Sequence, residues 1–264
     1  MQTHQDDPND QAAAGLGVLA ARQPARATGI LAVSLLGWLF LAWITIDMEH
    51  PLAQLTMPAT SSWSATSVLM IWSMWGIMMA AMMLPSALPM ILTFVELSQR
   101  TGEPARGRSF IAAYLVVWLA FSVAATAAQW VLQYRGWVNP MIVSTSAWLT
   151  GGLLLIAGIY QFSSLKQLCL SGCRTPIGFL MGEWRAGARG AFRMGIRHGL
   201  FCVGCCWALM ALLFVGGVMN LAWIAALSIA VAIEKLAPGG ARLGAVLGVG
   251  LIAAGLIKLL NSAL

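Results

Sequence analysis

The sequence predicts an all-α, polytopic transmembrane helix bundle of about seven spans with a cytoplasmic N-terminus. Three observations carry that expectation. Of the 264 residues, 59% are hydrophobic and only 9% charged, whereas a soluble domain carries about 25% charged residues. Large apolar side chains are abundant, with 12 Trp and 15 Met against 3 Tyr. Apolar runs of roughly 20 residues, the length at which a helix covers the hydrocarbon core, recur along the chain. Together they exclude a soluble enzyme, a disordered chain, a coiled coil and a disulfide scaffold.

Residues 1–27 are polar and begin acidic, with Asp6, Asp7 and Asp10. That is the wrong charge for a secretory signal, so the segment reads as a flexible tail before a single transmembrane domain over 28–264. Apolar runs fall at 28–46, 66–95, 109–133, 144–163, 199–217, 220–236 and 243–262. The stretch 199–236 is too long for one crossing, and Gly216, Gly217 and Asn220 offer a reversal within it. Seven spans, or six if the last pair is partly re-entrant, place all 15 Lys and Arg except Arg135 and Lys258 on one side. By the positive-inside rule that side is the cytoplasm, which gives a multi-pass membrane protein. The formal charge of +6 is thus accounted for by topology, and nucleic acid is not needed as a partner; the lipid bilayer is. The basic residues between Arg185 and Arg197 predict a helix lying at the anionic inner headgroups.

The sharpest chemical feature opens the fifth span: His198-Gly-Leu-Phe-Cys202-Val-Gly-Cys205-Cys206-Trp207. On a helix Cys202 and Cys206 stand one turn apart with Cys205 beside them, and the same ladder runs from His198 to Met210. Imidazole, three thiols and a thioether then share one face over about 18 Å. Soft sulfur donors select Cu(I), with zinc as the alternative. The competing reading is that cysteine is a small apolar residue that packs inertly. Cys169 and Cys173 follow the fourth span on the same side, in a stretch whose Gly172 and Pro176 predict a helix end or turn. All five cysteines thereby gather at one membrane face, the reducing one.

Two further features are weaker. Met70, Met74, Met78 and Met82 recur every four residues in the second span, with Met79 and Met83 one position round. Methionine fills gaps between helices, but Met74, Met78, Met79, Met82 and Met83 could also line a metal path beside a helix kinked at Pro85 and Pro89. Glu234-Lys235 closes the sixth span either as a functional ion pair or as a neighbouring pair that snorkels to the interface. No phosphate-cradling glycine loop, HExxH pair or Ser-His-Asp order is present, so a non-enzymatic role is favoured.

Three stretches carry a resemblance: Trp75 to Pro89, Gln161 to Pro176, and His198 through Glu234-Lys235. They resemble a bacterial family of predicted metal-binding integral membrane proteins, formerly a domain of unknown function. The resemblance covers most of the chain after about residue 65 and implies metal handling, some members being copper chaperones for a partner oxidase. The expectation is a Cu(I)-binding membrane protein with Cys202, Cys205 and Cys206 as its main site and His198, Met210, Cys169 and Cys173 as auxiliary ligands. Copper would be delivered to a partner or moved across the membrane. A membrane thiol–disulfide oxidoreductase and a scaffold subunit are the alternatives.

Overall fold

A computed structural model describes residues 20–58, 63–103 and 105–263. The tail expected over 1–27 lies outside the described residues up to position 19; from Ala20 onward the chain is helical save a bend at Gln23. Among the described residues, eleven helices from Pro24 onward run in the order α1 (Pro24–Ile46), α2 (Pro51–Thr56), α3 (Ala65–Arg100), α4 (Ala105–Tyr134), α5 (Ala147–Tyr160) and α6 (Ser164–Arg174). They continue as α7 (Pro176–Glu183), α8 (Gly187–Ala211), α9 (Leu213–Gly216), α10 (Leu221–Leu236) and α11 (Gly240–Ala263). The described residues form no strand, only an isolated bridge between Val138 and Ser144.

Among the described residues, five helical segments are long and apolar enough to cross a membrane, or six if the bent pair α5–α6 is one span. The seven spans expected are not all found at that length. The run 144–163 is helical only over Ala147–Tyr160, and α6 leaves it at 64°. The run 220–236 becomes α10, of 16 residues, short of the roughly 20 that cover the hydrocarbon core. The reversal before it forms as expected. Gly217 takes φ +87°, a left-handed conformation that costs glycine little, and the Asn220 side chain caps α10 by accepting from Trp223 N.

The basic stretch from Gly187 to Arg197 is not a separate surface helix. It is the first half of α8, continuous with the cysteine stretch. The packing reason is glycine. A Cβ on Gly195 would stand 2.7 Å from Ala113 Cβ and one on Gly199 2.9 Å from Val117 Cβ. Their absence lets α8 lie along α4 as one rod, the small-residue contact by which apolar helices approach closely.

Helix α3 is the hub. In its apolar window 72% of the residues are buried, against 22% in α1 and in α11. Pro85 and Pro89 sit inside it, and a helical proline leaves the carbonyl four residues earlier without its donor. Ser34 Oγ on α1 supplies a replacement, donating to Ala81 O at 2.7 Å. The outward faces of α1 and α11 carry Leu35, Leu36, Leu39, Val246, Val249 and Leu260, all exposed. That is the surface a lipid-facing helix presents.

Candidate metal centre

The α8 cysteines point inward together. Cys202, Cys205 and Cys206 are each no more than 2% exposed, as residues at i, i+3 and i+4 of a helix face must be when that face is covered. Cys205 Sγ and Cys206 Sγ both donate back to Cys202 O, at 3.1 and 2.9 Å. Helix α6 covers the Cys205 side of that face. The CxxxC stretch is an 11-residue helix rather than a turn: Ser163 caps its start by accepting from Lys166 N, and Pro176 follows its end. One turn separates Cys169 from Cys173, and both face α8. Cys173 Sγ stands 4.0 Å from Cys205 Sγ. Cys169 Sγ lies over Gly204, where a Cβ would come within 2.6 Å of it. All five cysteines are free thiols.

That 4.0 Å separation has a chemical meaning. A metal–thiolate bond of about 2.3 Å puts two sulfurs about 3.8 Å apart in a tetrahedral site and about 4.6 Å apart in a linear one. Cys173 and Cys205 fall between these limits from two different helices. Among the described residues no group of three or more His, Cys, Asp or Glu side chains stands ready to hold a metal ion. The arrangement is therefore a pair of sulfurs with three more close by in sequence and space, rather than a closed cage.

A polar cluster meets the thiols from the opposite side. Lys235 Nζ on α10 donates to Cys202 Sγ at 2.9 Å and to Ser86 Oγ on α3 at 3.2 Å, and lies 3.8 Å from Met83 Sδ. Tyr114 on α4 donates its hydroxyl to Met83 O at 3.3 Å. Its oxygen also stands 3.1 Å from Cys202 Sγ, a contact in which either atom could donate. His198 is 2% exposed with both ring nitrogens unpartnered, enclosed by Phe110, Tyr114 and Phe179 at 5.6–5.9 Å between ring centres. A buried imidazole without a hydrogen-bond partner is rare in a packed core.

A family model for copper chaperones, PpoB2, matches residues 72–258. The chain belongs to that copper-chaperone family. The match runs from α3 into α11 and so takes in every thiol and every polar neighbour described above. No curated protein and no solved structure matches the chain. The family description names copper and lends zinc no support.

Placed in this fold, the residues singled out from sequence separate into groups. Cys169, Cys173, Cys202, Cys205 and Cys206 come together at the α6–α8 contact, with His198 one turn of α8 before Cys202. Met210 is 1% exposed, two turns beyond Cys202 on the same helix. Met74, Met78, Met79, Met82 and Met83 are all buried in the hub helix, and of these Met83 reaches the polar cluster. The expected Glu234–Lys235 pair does not form. Neighbours on a helix point about 100° apart, and the two part company: Lys235 goes to Cys202, and Glu234 Oε2 pairs with Lys166 Nζ at 2.6 Å. Nor do they snorkel, being 2% and 5% exposed.

Four residues of the site were not foreseen. Tyr114 and Ser86 carry no sequence signal beyond being polar atoms within apolar runs. Lys166 was counted only toward topology, yet it is 2% exposed and also donates to Gln161 Oε1. Gln161, too, was noted only as the start of a stretch. The available signal was the position of Lys166 and Gln161 at the break between α5 and α6, where a buried helix end requires polar partners.

Proposed function

We propose that this protein holds Cu(I) between α6 and α8 and hands it to a copper-requiring partner, such as an oxidase, at the cytoplasmic face of a bacterial inner membrane. The observation that carries the reading is the 4.0 Å approach of Cys173 Sγ to Cys205 Sγ across two helices, within a copper-chaperone family match. Thiolate donors select Cu(I) among the common metals. A two-sulfur site suits delivery because an incoming ligand adds before an outgoing one leaves. Cys202 and Cys206, one turn apart beside Cys205, and Cys169, one turn before Cys173, supply the sulfurs for that exchange. His198 and Met210 extend the same face of α8 as auxiliary donors. A second reading, passage of copper along the methionines of α3, is favoured only by Met83, which joins that stripe to the polar cluster.

The test is metal binding by the full chain, purified in detergent and loaded anaerobically with Cu(I). The wild type is expected to retain a single Cu(I) against a competing chromophoric chelator. Cys173→Ser and Cys205→Ser each lose it. The reading fails if the wild type retains no more copper than a variant with all five cysteines replaced by serine. Replacing Met74, Met78, Met79 and Met82 by leucine leaves binding intact under the delivery reading and slows copper movement into vesicles under the second.

A further inference from the structure

A groove of about 470 Å³ runs between α1 and α4 and is floored by α3, against which both of those helices lie. Its walls are apolar along their length: Ile30 and Val33 from α1, Leu84 and Val95 from α3, Ile111 and Leu115 from α4. Charge enters the lining only through Arg26 of α1 and Arg108 of α4. Two contacts set the register of these helices on α3. Gln23 Nε2 donates to Leu92 O at 3.3 Å, and a Cβ on Gly107 would stand 2.8 Å from Val95 Cγ2. Arg26 and Arg108 follow those contacts closely in sequence, so both stand at the Leu92–Val95 end of the groove. The deep end lies about 10 Å further along each helix, at Val33 and Leu115, where Ser34 Oγ donates to Ala81 O.

No Asp or Glu lines the groove, and among the described residues neither arginine pairs with a carboxylate. The nearest acids in sequence are engaged elsewhere, Glu96 by Arg22 and Arg100 and Glu103 by Arg106. Arg26 donates only to the neutral Gln23 side chain, at 3.1 Å. Gly29 opens the channel further. Glycine weakens a helix interior, yet no atom stands within 4 Å of where its Cβ would be, so the space it leaves belongs to the groove. We propose that this groove seats an anionic phospholipid, with its phosphate between Arg26 and Arg108 and one acyl chain along the channel toward Val33, Leu84 and Leu115. Guanidinium forks match phosphate oxygens, and basic pockets between transmembrane helices suit acidic headgroups. A zwitterionic lipid brings its own cation to two arginines that have no acid beside them. The bound lipid bridges α1, which leans mainly on α3, to α4. Neither arginine belongs to the thiol centre, so this site stands whether or not copper binds there.

The test is native mass spectrometry of the full chain, delipidated in detergent and given equal amounts of phosphatidylglycerol and phosphatidylcholine. The wild type is expected to retain one phosphatidylglycerol in preference to phosphatidylcholine. Arg26→Gln and Arg108→Gln each weaken that retention about tenfold, as loss of a hydrogen bond to a charged group does. Gly29→Leu fills the channel and weakens it with both arginines in place. Arg135→Gln, beyond the far end of α4, leaves it unchanged. Phosphatidylglycerol also raises the thermal unfolding midpoint of the wild type, as a ligand of the folded state must. It does not raise that of the double arginine variant, and inorganic phosphate, which lacks the acyl chain, raises neither. Equal retention of the two lipids overturns the inference, as does unchanged phosphatidylglycerol retention in both arginine variants or in Gly29→Leu. So does a loss as large in Arg135→Gln, which would mark a general response to charge. A dimer that excludes the lipid would make a second copy of the chain the occupant and overturn it as well.

Discussion

Buried charges govern the centre of this protein residue by residue, and they are arranged in two ways. Lys166 and Glu234 are 2% and 3% exposed and pair at 2.6 Å, with Gln161 as a further acceptor for the ammonium. Breaking such a pair from one side leaves an unpaired ion in low dielectric at a cost of about 3–5 kcal/mol. Glu234→Ala is expected to lower the thermal unfolding midpoint in detergent sharply. The double variant Glu234→Leu with Lys166→Met recovers most of the loss, since an apolar replacement of both partners is often nearly neutral. A single variant as stable as the wild type would show that Lys166 finds another anion. Lys235, by contrast, has no such carboxylate and faces sulfur, which ties it to the thiols instead.

Among the elements, α8 and α6 do the positioning. Helix α8 rests on α4 through Gly195 and Gly199, so the height of Cys202 opposite Tyr114 is set about two turns away from the thiols. Gly195→Leu drives a side chain into Ala113 and the Phe110 carbonyl. Overpacking of this kind costs about 1–3 kcal/mol. The expected readouts are a lowered unfolding midpoint and weakened Cu(I) retention together, whereas a surface substitution such as Arg193→Gln moves neither. The 64° bend after Tyr160 turns Cys169 and Cys173 onto α8. The sequence contained the ingredients of that bend, but the polar run Gln161 to Ser163 reads equally well as the end of a span. Only the contact of α6 with α8 shows that the helix restarts across the thiols.

Over the whole molecule, the centre is a meeting of α3, α4, α6, α8 and α10 drawn from 149 residues of sequence separation between Ser86 and Lys235. Its geometry is open to a direct check. Oxidation of membranes with diamide is expected to join Cys173 to Cys205, because the sulfurs need to close from 4.0 Å to about 2.05 Å. Peptide mapping by mass spectrometry reads the product. A disulfide within α8 in its place, with none between α6 and α8, would contradict the packing described. The sequence by itself determined the helical class, the apolar spans long enough to cross a bilayer, the reversal at Gly217 and the clustering of five cysteines. These follow from composition, periodicity and glycine chemistry, which are local. Only the tertiary structure decided that Cys173 meets Cys205 across helices, that Glu234 and Lys235 serve different partners, and that Tyr114 and Ser86 belong to the site. Those outcomes depend on which helix faces which. In apolar surroundings that choice is made by small residues and by the few buried polar groups that must be satisfied, through contacts far apart in the chain.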